Sequence, residues 1–109
     1  MRHLYNINFA IPREQSKELE AHLSKTTLPQ LRAAFAEVEL YAYRLTDPIY
    51  DENVCNCSLQ FIFPDRETKE QVMASPTLAE SIKAISEVFD NRLLSFDSLL
   101  EEIQPETID

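Results

Sequence analysis

The chain has 109 residues, with 10 Lys or Arg against 19 Asp or Glu, and its formal net charge is −9. This length suits one domain around one core, and the negative charge disfavours phosphate backbones and anionic lipid as partners. We therefore expect one domain over residues 1–103 with a flexible tail over 104–109, and neither nucleic acid nor membrane as a partner.

The first predicted element is a strand from His3 to Ile11, in which two chemistries alternate. Ile7 and Phe9 point to one side, while Asn6 and Asn8 point to the other. The alternation predicts a strand with one apolar face and one polar face.

A helical region follows the first strand in two predicted pieces, Arg13 to Lys25 and Leu28 to Phe35. Pro12 suits the start of the first piece. The sequence Thr27-Leu28-Pro29 predicts a break between the pieces, because Pro disfavours helical geometry in the residue before it.

Strand two is predicted from Glu37 to Leu45, EVELYAYRL, where aromatic residues favour a pleated surface. An acidic loop, Thr46 to Asn53, leads to strand three, Val54 to Phe63, with the sequence VCNCSLQFIF. Its apolar residues share one face with the cysteines, and its polar residues share the other. The polar residues of strand three are Asn56, Ser58 and Gln60.

The second helical region is also predicted in two pieces. Asp65 is a plausible N-cap for Arg66 to Met73, and Ser75 with Pro76 opens the next piece. Asp90 and Asn91 tolerate the left-handed geometry that ends a helix without Gly. Strand four is then predicted from Arg92 to Leu100.

The predicted order is βαββαβ, which favours a ferredoxin-like α+β sandwich. In this fold a four-stranded antiparallel sheet, in strand order 4-1-3-2, carries both helical regions on one face. Strands one and three lie at its centre, so their apolar rows meet the helices and their polar rows face the uncovered side.

The chain resembles a family of small uncharacterised bacterial proteins, a domain of unknown function related to dimeric α/β-barrel proteins. The matching segments are LYNINFAI, TLPQL, YRL, SLQFIF and LLSFDSLLEEI. The resemblance implies a homodimer in which the open sheet faces of two protomers pack together, in some members around a cavity. The chain departs from the family at Thr27, where relatives commonly have His, and at a missing Gly near the end of the first helical region.

Glycine is absent from the whole sequence, which excludes several cofactor sites. A Rossmann fingerprint, a P-loop and a nucleophile elbow each need Gly where the backbone turns tightly or approaches a ligand. No apolar run reaches the roughly 18 residues of a membrane span, and the N-terminus lacks a signal-peptide block. We expect a cytoplasmic protein without a cofactor.

Both cysteines lie in the motif CNC of strand three, as Cys55 and Cys57. Side chains two apart on a strand are about 6.5 to 7 Å apart, which resists a mutual disulfide. A structural zinc site needs about four ligands, and neither His3 nor His22 stands at a recognisable spacing. Buried apolar thiols are the favoured interpretation, and His22 is expected on a helix surface.

The predicted binding site is the polar side of the sheet, because convergent neutral hydrogen-bonding groups suit a small polar ligand. Arg44, Ser95 and Asp97 join it from the flanking strands if the register allows. Tyr5, Tyr41 and Tyr43 offer rings that either stack on an aromatic ligand or pack in the fold with their hydroxyl groups in water. The row itself, called the amide row below, consists of Asn6, Asn8, Asn56, Ser58 and Gln60.

Two functions are compatible with this site. The favoured hypothesis is a non-catalytic or weakly ligand-binding homodimer, in which amides pair across a two-fold axis. The alternative is a cofactor-independent enzyme of the dimeric-barrel type, a small monooxygenase or isomerase acting on a small organic molecule. The sequence contains no assembled set of nucleophile, acid and base, which favours the first hypothesis.

Overall fold

A computed structural model describes residues 1–90 and 92–105 of the chain. The four strands are β1 (His3–Pro12), β2 (Glu39–Arg44), β3 (Val54–Phe63) and β4 (Leu94–Glu101). The four α-helices are α1 (Ser16–His22), α2 (Leu28–Ala34), α3 (Arg66–Met73) and α4 (Pro76–Val88). The element order therefore matches the predicted βαββαβ arrangement, with each helical region divided in two.

The first helical region is continuous, whereas the sequence predicts a break near Thr27. A 3-10 turn over Arg13–Gln15 leads into α1, and a π-helical segment over Leu23–Thr27 joins α1 to α2. Pro29 has no N–H to donate, and its ring would crowd the carbonyl of a regular helix four residues back. The wider π turn, in which the N–H of Leu28 donates to the carbonyl of Leu23, lets the chain pass this point without stopping.

The second helical region has the predicted caps. The Asp65 side chain accepts a hydrogen bond from the backbone N–H of Thr68 at 2.8 Å, and this bond lowers the pKa of the carboxyl. Ser75 caps α4 through the N–H of Thr77 at 3.3 Å, with Pro76 in the first turn. These side chains satisfy backbone donors that the helices leave unpaired.

The turn after α4 takes the predicted left-handed geometry at Asp90, where φ is 50°. An aspartate tolerates this region better than most residues, so the helix ends without Gly. The neighbouring Asn91 and residues 106–109 lie outside the described residues, and the loose tail over 104–109 stays a prediction.

All four strands form one antiparallel sheet in the order β2-β3-β1-β4, which is the predicted order 4-1-3-2. The central pair aligns Ile7 with Leu59 and Asn6 with Gln60. Because neighbouring residues in adjacent strands point to the same face, this register gathers the apolar rows on one face and the polar rows on the other.

The core lies between the sheet and the helices, on one face only. Phe9, Leu59 and Phe61 from the central strands pack in the same cluster as Leu19 and Ile85 from the helices. Within residues 1–90 and 92–105, no helix packs over the other face of the sheet. Among the described residues, no helix is long and apolar enough to cross a bilayer.

Candidate functional site

The uncovered side of the sheet, called the open face, combines side chains from all four strands. The pairing register determines which residues share it. In strand order its main residues are Tyr41 and Tyr43 from β2, Asn56, Ser58, Gln60 and Ile62 from β3, Leu4, Asn6, Asn8 and Ala10 from β1, and Leu94, Phe96, Ser98 and Leu100 from β4.

The amide row occupies the middle of the open face. Asn6 lies beside Gln60, Asn8 beside Ser58, and Ala10 beside Asn56. The Oδ1 atom of Asn6 is buried, and no described residue donates a hydrogen bond to it. A buried acceptor without a donor costs free energy.

Two tyrosines border the amide row on the β2 side. Tyr41 pairs with Gln60 and Tyr43 with Ser58, and the two ring centroids are 6.4 Å apart. Both rings are largely exposed. Tyr5 points to the helix-covered face and packs against Phe61 in the core, with ring centroids 5.6 Å apart. The open face therefore offers two of the three strand tyrosines as stacking surfaces.

A groove of about 420 Å³ lies over the β2–β3 half of the open face. The loop after β2 contributes Leu45 and Tyr50 to its wall. The strands contribute the neutral polar residues Asn8, Tyr43, Asn56, Ser58 and Gln60, together with Cys57 and the charged Arg44. Pockets of this size hold small molecules, and here the walls combine amide and hydroxyl groups with aromatic rings. The sequence did not predict that Tyr50 lines the groove. Tyr50 lies in a loop, where side chains do not alternate between two faces as they do along a strand.

An apolar row from β4 borders the amide row on the other side. Leu94, Phe96 and Leu100 are 60%, 64% and 52% exposed, although each is large and apolar. Phe96 lies beside Asn8 of β1, and Leu100 lies beside Leu4. A row of large exposed apolar side chains is costly in water.

The Arg44 side chain points to the helix-covered face of the sheet, because side chains alternate along β2 and Tyr43 points to the open face. It pairs with Cys57, and its guanidinium Nε donates to Oε1 of Glu20 at 2.6 Å. The hydrogen bond and the charge of Glu20 raise the pKa of Arg44. Arg44 lines one end of the open-face groove, but its charged group is engaged by α1.

Asp97 also points away from the amide row. It lies beside Ile7 on β1 and accepts a hydrogen bond from the Tyr5 hydroxyl at 2.7 Å. Burial, then the bond to Asp97, raises the pKa of Tyr5. Ser95 lies beside Phe9 and points to the same helix-covered face as Asp97. The structure therefore brings the five amide-row residues together on the open face and places Ser95 and Asp97 on the opposite face. Arg44 reaches one end of the open-face groove, with its charged group paired to Glu20.

The cysteines lie on the helix-covered side, where the alternation predicts them. Cys57 is buried, and burial together with the neighbouring Cys55 raises its pKa to about 12. Both thiols are free. Within residues 1–90 and 92–105, no group of three or more His, Cys, Asp or Glu side chains is arranged to hold a metal ion. His22 is half-buried against Phe89, with ring centroids 6.2 Å apart.

No protein-family model and no curated protein matches this chain. Solved structures do match. A dimeric ferredoxin-like protein from an uncultured marine organism has a TM-score of 0.69 at 11% identity, covering 97% of this chain and all of that one. HapK from Hahella chejuensis has a TM-score of 0.65 at 12% identity, covering 100% of this chain and 99% of that one.

A third match is SnoaB, a cofactor-independent oxygenase from Streptomyces nogalater, with a TM-score of 0.60 at 13% identity over 96% of this chain and 97% of that one. Identities this low establish a shared fold and do not transfer an activity. The chain thus has the ferredoxin-like fold of a group of solved proteins that includes a dimeric member and a cofactor-independent oxygenase.

Proposed function

We propose that this protein is a homodimer formed through the open face, without catalytic activity, that holds a small uncharged organic molecule weakly between the two sheets. One observation carries the proposal: Leu94, Phe96 and Leu100 form an exposed apolar row beside a polar centre. Covering this row removes apolar surface from water, which is the main driving force of association.

The size of the open face suits a dimer interface. Four strands spaced about 4.8 Å apart, with about eight residues each rising about 3.3 Å, span roughly 19 Å by 26 Å. This is on the order of 500 Å² in projection, and side chains standing on the sheet raise the accessible area toward the ~800 Å² per partner of a standard interface. In a two-fold dimer the same face of both chains forms the interface, so the polar centre and the apolar row of one open face meet those of the other. The similarity in fold to a dimeric ferredoxin-like protein supports a second copy of this chain as the partner.

The ligand is assigned to the amide row. Asn8, Asn56 and Ser58 line the open-face groove with both hydrogen-bond donors and acceptors. The described residues that line the groove include no carboxylate, and the charge of Arg44 is balanced by Glu20. An uncharged molecule with carbonyl or hydroxyl groups suits these walls, since a buried unpaired charge would be costly.

A second candidate is a cofactor-independent enzyme of the monooxygenase or isomerase type. It is favoured by the position of Tyr43 and Tyr50 in the same groove as the amides, where a phenol can share a proton with a bound molecule. The similarity in fold to a cofactor-independent oxygenase is consistent with it. This candidate predicts turnover that Tyr43→Phe and Tyr50→Phe abolish, whereas the binding protein predicts no turnover of any ligand it holds.

Light scattering on the purified chain at micromolar concentration tests the dimer, and a crystal structure of protein prepared without added ligand tests the cavity. We expect the mass of two chains, with the open faces in contact and electron density for a small molecule between the amide rows. A monomer at these concentrations would overturn the proposal. Amide rows packed tightly against each other, with no space between them, would remove the ligand-binding part.

A further inference from the structure

A second concave site lies on the opposite side of the sheet from the amide row, at its β2 edge. It is bounded by α1 and the π-helical segment on one side and by β2 on the other, and we call it the α1–β2 cleft. Its volume is about 670 Å³, which is larger than that of the open-face groove and within the usual range of small-molecule sites. The cleft shares Tyr43, Arg44 and Cys57 with the open-face groove, which it adjoins at the β2 edge, whereas α1 and the π-helical segment line the cleft alone.

The floor of the cleft is apolar and uncharged. Leu23 and Cys57 are buried there, and Leu28 and Ala42 pack around them as half-buried side chains. Because burial raises the pKa of Cys57 to about 12, its thiol is protonated at neutral pH and behaves as a small apolar group. An alkyl chain or an aromatic ring can therefore lie on this floor without facing a charge.

The mouth of the cleft carries an excess of positive charge in a chain whose net charge is −9. Arg44 and Lys25 line it, against the single carboxylate of Glu20. The Arg44 side chain is 66% exposed, and it meets Oε1 of Glu20 through its Nε at 2.6 Å and through its Nη2, which leaves the Nη1 edge of the guanidinium open. A guanidinium presents five N–H donors in a planar fork, so the part of the fork that Glu20 leaves free is available to a second carboxylate.

We propose that the α1–β2 cleft binds small apolar monocarboxylic acids. The apolar part of the ligand lies on Leu23, Leu28 and Ala42, and its carboxylate pairs with the Arg44 guanidinium. Glu20 competes for the same cation and so keeps the affinity moderate. Alkyl and aryl acids share this chemistry, and the experiment below separates them.

The test is a titration of the full chain with small ligands. Isothermal titration calorimetry measures the affinity, and chemical-shift changes of the backbone amides in NMR spectra locate the site. The probes are octanoate and 3-phenylpropanoate as acids, with 1-octanol and octylamine as uncharged and cationic controls. We expect saturable binding of at least one acid, which identifies the preferred apolar part. We expect weaker binding of the alcohol and none of the amine, with shift changes on α1, the π-helical segment and β2.

Three variants locate the site. Arg44→Gln should weaken the acid by about tenfold or more, as expected when one charge-assisted contact is lost. Glu20→Gln should tighten it, because the competing carboxylate is removed. Arg66→Gln is the matched control, since Arg66 is an exposed arginine in an ion pair with Glu70 at 3.5 Å and does not line the cleft.

Several outcomes would overturn the cleft proposal without affecting the dimer proposal. These are no saturable binding of either acid, equal affinity for octanoate and octanol, or an unchanged affinity in a folded Arg44→Gln variant. Shift changes confined to Asn8, Ser58 and their neighbours would move the ligand to the open face. Repeating the titration with Phe96→Thr, which leaves the cleft residues intact, separates the two proposals. Acid binding should persist in this variant even when the dimer dissociates.

Discussion

Replacing Phe96 by Thr should dissociate the dimer while leaving the fold of each chain intact. Phe96 is 64% exposed in the single chain, and a Phe side chain has on the order of 200 Å² of surface, so ~130 Å² is available for burial. At about 25 cal/mol per Å² this area contributes about 3 kcal/mol for each copy. A two-fold interface contains the residue twice, so the upper limit is about 6 kcal/mol for the dimer.

The loss is smaller than this upper limit, because Thr retains part of the buried area and because ordering side chains at the interface costs free energy. We expect the dissociation constant of Phe96→Thr to rise by at least about a hundredfold. Thr keeps the strand preference of β4, so thermal unfolding monitored by circular dichroism should be little changed apart from the loss of the dimer contribution. Sedimentation velocity from roughly 1 to roughly 100 μM covers the range in which a micromolar dimer dissociates.

The control is Val88→Thr, which changes an apolar side chain that is 55% exposed on α4, away from the open face. Its dissociation constant should equal that of the unaltered chain. If Phe96→Thr and Val88→Thr gave the same constant, β4 would not lie in the interface and the reasoning from its exposed row would be refuted.

Three further predictions concern stability. Tyr5→Phe removes the hydroxyl that donates to Asp97 at 2.7 Å and should lower the free energy of unfolding by about 1 kcal/mol in urea denaturation; an unchanged value would mean that the bond contributes nothing net. Because burial raises the pKa of Cys57 from 9.0 to about 12, the protonated thiol stabilises the fold below pH 9, and this contribution should be lost between pH 9 and about 12. Cys57→Ala should have a smaller loss over that window, and an equal loss would contradict the assignment. Asp65→Ala removes the cap on the Thr68 N–H and should destabilise the chain at pH 7. Because that hydrogen bond lowers the pKa of Asp65, its contribution is lost as the pH falls through the lowered value, and the difference between the two chains should shrink in acid. A difference that stayed constant as the solution was acidified would contradict a charged cap.

The first helical region illustrates what local sequence rules miss. Pro29 predicts a stop, because a regular helix cannot accommodate its ring and its missing N–H. The chain instead continues through a π turn, which keeps Leu23 and Leu31 in one core cluster. Packing of these two side chains against the sheet outweighs the local preference of the residue before Pro.

Sequence periodicity by itself determined the two faces of the central strands. Apolar and polar residues alternate over Asn6 to Phe9 in β1 and over Cys55 to Phe61 in β3, and a side-chain period of two leaves only one way to bury Phe9 and Leu59 together. The amide row follows from that alternation. In β2 we expected Arg44 beside the amide row, although Arg44 is four residues from Leu40 and therefore points to the same, helix-covered face.

Tertiary structure alone decided the faces of β4. The sequence LLSFDSLLE has apolar pairs in place of a strict alternation, so either face is compatible with its composition. Pairing with β1 fixed the register, placing Asp97 beside Ile7 and Phe96 beside Asn8. Register depends on hydrogen bonds between segments distant in the chain, which no local pattern within β4 encodes. For this reason the sequence predicted the amide row, whereas only the folded sheet revealed the apolar row beside it.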